Sequence, residues 1–169
     1  MAYYNRKEMR KLLFTVLMLL PFMSCEKATT EEIKYYESGA VLSKVNLVDG
    51  KEQGEGILYF ESGAIKTKTN FVDGVIQGEM IGYFESGQLK TEGVYKNGFP
   101  NSLLESYYEN AQLKMRLVYA ENGQLEMEEL YDKNGQLEEA SLFNKNGQLT
   151  VKSIYNGDGT ETISTYNYE

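Results

Sequence analysis

Acidic side chains recur in this chain at a regular step that raises the question of catalysis. Glu37, Glu61, Glu85 and Glu109 stand 24 residues apart, and glycoside hydrolysis uses two carboxylates about 5 to 9.5 Å apart. Equivalent positions two strands apart in any sheet are separated by roughly 9.5 Å. The spacing therefore follows from repetition, and these acids are expected at solvated turns. The chain has no His, which removes the commonest general base. Its one cysteine, Cys25, excludes a disulfide framework and any metal site built from His and Cys. Asn156-Gly157-Asp158-Gly159-Thr160-Glu161 is rich in oxygen ligands, but an EF-hand needs a longer ligand series between helices, so a turn is expected there. No catalytic residue, metal ligand or cofactor is expected.

Aromatic residues recur at the same step, as the pairs Tyr35/Tyr36, Tyr59/Phe60, Tyr83/Phe84 and Tyr107/Tyr108. Neighbours along a strand point to opposite faces, which predicts that one ring of each pair is core and the other free. Tyr36, Phe60, Phe84 and Tyr108 are the candidate binding face. They could stack on a glycan, or pack on one another across strands. The composition includes 14 Tyr, 7 Phe and no Trp, and the lack of Trp weighs against a glycan ladder.

The elements that position these rings are legible from the repeat itself. A fixed period marks a repeat architecture and overrides element-by-element assignment. Tyr83-Phe84-Glu85-Ser86-Gly87-Gln88-Leu89-Lys90 is the clearest copy of the 24-residue phrase, and from Gly123 the step halves, through Asn134-Gly135-Gln136-Leu137 and Asn146-Gly147-Gln148-Leu149. Within the second unit Ile65, Thr67, Thr69 and Phe71 alternate with Lys66, Lys68 and Asn70, the period of a strand. Asp49-Gly50, Asp73-Gly74 and Asn97-Gly98 carry the signature of tight hairpin turns. Each unit is thus a hairpin, and the fold class is all-β: an elongated antiparallel meander of 24-residue units followed by 12-residue strands. In the later strands Leu113, Met115, Leu117 and Tyr119 are expected on an apolar face with Leu125, Met127, Tyr131, Leu137, Phe143, Leu149, Val151 and Tyr155. Lys114, Arg116, Glu126, Glu128, Glu138, Thr150 and Lys152 are expected on a charged face, interrupted by Val118, Leu130, Leu142 and Ile154. Such a sheet needs a cover, so it either coils until the apolar face closes on itself or offers that face for docking. Glu161 replaces the usual Leu in the last strand, as a capping repeat would.

The N-terminus gives an address. Arg6, Lys7, Arg10 and Lys11 precede an uncharged apolar run over 12–22, shorter than the roughly 20 residues that span a bilayer, which reads as a secretory signal peptide. Beyond residue 24 the chain holds 13 basic and 24 acidic groups, a balance that repels nucleic acid and anionic lipid headgroups. The divisions expected are 1–24 as signal peptide, 25–33 as a lipidated Cys and polar tether, and 34–169 as the repeat domain.

Two resemblances add to this. Phe22-Met23-Ser24-Cys25 resembles the lipobox of bacterial lipoproteins, which implies that Cys25 becomes the first mature residue and carries lipid holding the domain at a membrane. The recurring Tyr-Phe/Tyr-Glu-Ser/Asn-Gly-x-Leu phrase, with Asp-Gly-x-x-x-Gly-Glu at Asp49 to Glu55 and Asp73 to Glu79, resembles the variant MORN repeat of exported bacterial proteins over about residues 34–119. Some proteins of this spelling are YwqK-type antitoxins, which implies a toxin as partner. The function expected is an exported, lipid-anchored interaction module that binds another protein, with an envelope glycan or a toxin as the alternative partner.

Overall fold

The computed structural model describes residues 28–168, and no helix occurs among them. Twelve strands follow one another: β1 (Thr29–Tyr35), β2 (Val41–Val48), β3 (Lys51–Tyr59), β4 (Ile65–Val72), β5 (Val75–Tyr83), β6 (Leu89–Lys96), β7 (Phe99–Tyr107), β8 (Leu113–Tyr119), β9 (Leu125–Tyr131), β10 (Leu137–Phe143), β11 (Leu149–Tyr155) and β12 (Glu161–Thr165). Their order in space is their order in sequence, every neighbouring pair is antiparallel, and β1 and β12 form the two edges of one open sheet about 53 Å wide. The expected meander is what forms. The sheet does not close on itself.

Cys25 lies outside the described residues. Residues 29–33, expected within the polar tether, belong instead to β1, where Thr29 pairs with Val48 and Ile33 with Lys44. Two threonines and an isoleucine suit a strand, and β2 would otherwise present an unpaired ladder. Lys34 and Glu32, paired at 2.9 Å on this edge, place charge where edge-to-edge association would start.

Two kinds of connection build the meander. Asp49-Gly50, Asp73-Gly74 and Asn97-Gly98 have positive φ at both positions, between 52° and 82°, which is the two-residue turn whose twist matches the flanking strands. The longer loops follow one plan, seen between β5 and β6: the Phe84 N–H donates to Gln88 O at 2.8 Å and the Gly87 N–H to Phe84 O at 2.9 Å. Gly87 sits at φ 85°, a conformation that costs an L residue about 1–2 kcal/mol. In the fourth unit that slot is held by Ala111, at φ 63°.

After each long loop up to β11, one residue drops out of the ladder. Tyr83 pairs with Leu89 but Gly82 with Thr91, leaving Lys90 unpaired. Lys66 and Lys114 are skipped in the same way, as are Leu42, Glu126, Glu138 and Thr150. Each skip is a β-bulge, and a one-residue slip turns every following side chain to the other face. The expected division into an apolar and a charged face is therefore corrected. Arg116 pairs with Glu129 and Val118 with Met127, while Met115 pairs with Leu130 and Leu117 with Glu128. Met127 thus shares a face with Arg116, and Glu128 shares one with Met115. Both faces therefore carry apolar and charged residues together. Between β11 and β12 no residue is skipped.

A single layer buries little. Val45, 8% exposed, is the one large apolar side chain in the buried class among the described residues, and none falls below 2%. Contacts of any extent join consecutive strands only. Close approach still matters locally. A Cβ on Gly93 would lie 2.7 Å from Leu104 Cδ1 and 3.2 Å from the Leu103 carbonyl oxygen, so the missing side chain lets Leu104 lie across β6.

Candidate functional site

The candidate aromatics occupy equivalent places at one end of the strands. Strands β1, β3, β5 and β7 end at Tyr35, Tyr59, Tyr83 and Tyr107, so Tyr36, Phe60, Phe84 and Tyr108 lie just past the strand ends. Simple alternation does not apply to the pairs, and the expected split into core and free rings is not observed. All four candidate rings are half-buried, as are Tyr59, Tyr83 and Tyr107, whereas Tyr35 is 59% exposed. The Tyr36 hydroxyl donates to the Tyr59 carbonyl at 2.7 Å and that of Tyr108 to the Tyr131 carbonyl at 2.9 Å. Each stitches its loop to the equivalent loop one unit on.

The skipped residues meet these rings. Lys66 Nζ stands 5.6 Å from the centroid of Phe60, Lys90 Nζ 5.5 Å from that of Phe84, and Lys114 Nζ 5.6 Å from that of Tyr108. A cation over a ring face within about 6 Å is attracted by the ring quadrupole. The bulge re-aims each lysine over the loop that precedes it, six residues back in sequence. The first unit has Leu42 at this position. Between the Phe84 and Tyr108 loops lies an open groove of about 500 Å³ whose lining includes Lys90, Lys114, Glu109 and Lys133.

From Ala120 onward the aromatic position changes character. Asp132 accepts from the backbone of Gln136 and Asn134, both at 2.8 Å, and the Gln136 bond leads in holding its carboxyl below the usual carboxylate range. Asn144 takes the same role toward Asn146 and Gln148. In the oxygen-rich loop Asp158 Oδ1 accepts from the Thr160 hydroxyl at 2.7 Å and the Thr160 N–H at 2.9 Å, which lowers its pKa. That carboxylate closes its own turn. Glu37, Glu61, Glu85 and Glu109 are exposed on four separate loops.

Two features escape sequence reasoning. On one face a row of charge runs across four strands in direct register: Glu92, Glu105, Arg116 and Glu129. Arg116 donates through Nε to Glu105 at 2.8 Å and through Nη1 to Glu129 at 3.2 Å. The Tyr107 hydroxyl lies 2.7 Å from Glu92 and 2.9 Å from Glu105. Burial, and then these two carboxylates, push its pKa well above the ordinary 10.0. Arg116 is the one arginine beyond residue 10, which was the available signal, because Arg suits fork-like carboxylate pairing where Lys would serve at the surface. On the same face, toward the other end of the strands, Leu103, Val118, Met127, Leu142 and Val151 are successive cross-strand partners. This apolar stripe crosses five strands, about 19 Å, with Leu103 37% and Leu142 44% exposed.

Two stretches of the chain match the MORN repeat variant, residues 76–97 and 115–133. The first MORN-variant match takes in most of β5 and all of β6, and the second runs from within β8 through β9, past residue 119, where the resemblance was expected to end. No curated protein matches the chain. Among solved structures, TarM aligns at 12% identity over 95% of this chain and 24% of its own, with a TM-score of 0.34. The GtfA/B complex bound to UDP and GlcNAc aligns at 9% over 68% of this chain and 22% of that one, with a TM-score of 0.28. A protein of unknown function from Bacteroides fragilis aligns at 10% over 83% and 91%, with a TM-score of 0.20. The chain thus spans about a quarter of the length of TarM.

Proposed function

We propose that this chain is an exported, lipid-anchored, non-catalytic binding module whose partner is another protein. The observation that carries this reading is the stripe from Leu103 to Val151, five apolar side chains in register on a sheet that no second layer covers among the described residues. Apolar area left in water weakens a fold and supplies the driving force for association. Beside the stripe, Arg116 and its carboxylates provide a polar border, an arrangement common to protein interfaces. The MORN-variant repeats fit a binding role. The lipid anchor rests on the signal-like N-terminus and on Cys25, which follows Ser24 where a lipobox places its cysteine.

The test compares the full chain with a Leu103→Asp/Leu142→Asp variant, each used to capture partners from detergent-solubilised envelope. A specific protein should co-purify with the native chain and be lost from the variant, whose circular dichroism stays unchanged because both positions already face water. Equal capture by both forms, or no capture by either, would overturn this reading. A Cys25→Ala form should retain the partner while leaving the membrane fraction.

A further inference from the structure

The loop end of the sheet carries a second feature, independent of the apolar stripe. The chain as a whole has a net charge of −8, yet the groove between the Phe84 and Tyr108 loops is lined by Lys90, Lys114 and Lys133 against Glu109 alone among acids. Lys66, Lys90 and Lys114 are exposed and equivalent by repeat, so neighbouring members of the row are two strands, roughly 9.5 Å, apart. Each is the residue dropped from the ladder and each is held over an aromatic ring at 5.5 to 5.6 Å. The ring occupies one side of the ammonium group, while its three N–H donors leave others for a ligand. Holding a long side chain in place before binding also lowers the ordering cost of binding. The row is finite. Leu42 stands at the equivalent place before it, and Glu126, Glu138 and Thr150 after it.

We propose that this row is a binding site for an extended acidic polysaccharide that bears one carboxylate per disaccharide. Two pyranose rings in an extended chain span about the distance between successive lysines, so a carboxylate on every second sugar meets a cation at each unit. The C–H faces of the intervening sugars can lie against the edges of Phe60, Phe84 and Tyr108. Phosphates along a nucleic acid strand recur at about 3.4 Å in a duplex, too closely to match the row. The acidic remainder of the molecule repels such a dense polyanion. A ligand with sparse charge and apolar sugar faces satisfies both the cations and the rings. Three cations in the row set a site of about three disaccharides.

The experiment titrates the full chain, in nonionic detergent, with hyaluronan oligosaccharides of four, six and eight sugars, followed by calorimetry and tyrosine fluorescence. Affinity should rise to six sugars, level off, and fall as salt screens the charges. Lys66→Gln, Lys90→Gln and Lys114→Gln should each weaken binding about two- to fivefold, and the triple variant should lose it while keeping its circular dichroism. Neutral chitin oligosaccharides, polyphosphate and poly-glutamate should bind more weakly than hyaluronan of matching length. Absence of hyaluronan binding, equal binding of any control polymer, or native affinity in the triple variant would overturn the proposal. Because partner capture is tested through Leu103 and Leu142, either reading can fail without the other.

Discussion

Ala111 occupies the position that glycine holds at Gly39, Gly63, Gly87, Gly123, Gly135, Gly147 and Gly159, and it does so at φ 63°. Its Cβ strains the backbone there, and the gain from relieving this is partly offset by the greater freedom that glycine gives the unfolded chain. Ala111→Gly should stabilise the protein by about 0.5–1 kcal/mol, read as a higher denaturant midpoint at constant slope. A lower midpoint would show that the loop is set by something other than its turn. Tyrosine protonation gives a second expectation. Burial is the leading cause that raises Tyr95, Tyr107, Tyr119 and Tyr131 above 10.0. A group with a raised folded pKa contributes stability that is complete below its unfolded value and is lost as pH climbs past it. With no His in the chain, the melting temperature should hold level through neutral pH and fall above about pH 10. Tyr107→Phe should flatten that fall, and an unchanged slope in this variant would deny Tyr107 its share. The row of aromatic residues was legible at this scale because the period is written in the letters. The lysines above the rings were not, since their position depends on which residue the ladder omits.

At the scale of the element, the strands and turns were readable because turn chemistry is local: Asp-Gly and Asn-Gly set positive φ wherever they fall. The faces were not readable. Whether Met127 lies beside Met115 or beside Arg116 depends on the skip at Glu126, and nothing within β9 reports it. The same slip hid the charged row, whose members are separated by 13, 11 and 13 residues in sequence and meet only in register. The skip also makes a pair of strands the unit that preserves face. Removing 61–84 joins Phe60 to Glu85 and restores the same loop, so the remaining strands keep their faces and the Leu103 to Val151 stripe. This deletion should fold cooperatively, with a somewhat lower melting temperature and intact partner capture. Removing 133–144 deletes β10, takes Leu142 away and turns Val151 to the opposite face, so capture should fail even where circular dichroism reports strand. A 24-residue deletion that abolishes folding would contradict the nearest-neighbour account of stability.

Across the whole molecule, the repeat period foretold a meander but not its openness, because closure depends on accumulated twist rather than on any one phrase. The last strand, β12, has five exposed residues and pairs only with β11, and the opposite edge is β1. With contacts of any extent limited to adjacent strands, this architecture has a mechanical consequence. A sheet held at one edge and loaded through the other is pulled across its strands, so the ladder meets force one hydrogen-bonded pair at a time. It should unzip from an edge in a train of small steps. In the 12-residue region each step would release a contour length of about 40 Å. Single-molecule stretching between the termini should record such a series at low and similar forces, whereas one abrupt high-force rupture would show that the sheet bears load as a block. On this view the sheet is an extensible linkage, paying out length under strain and winding it back when the load is removed.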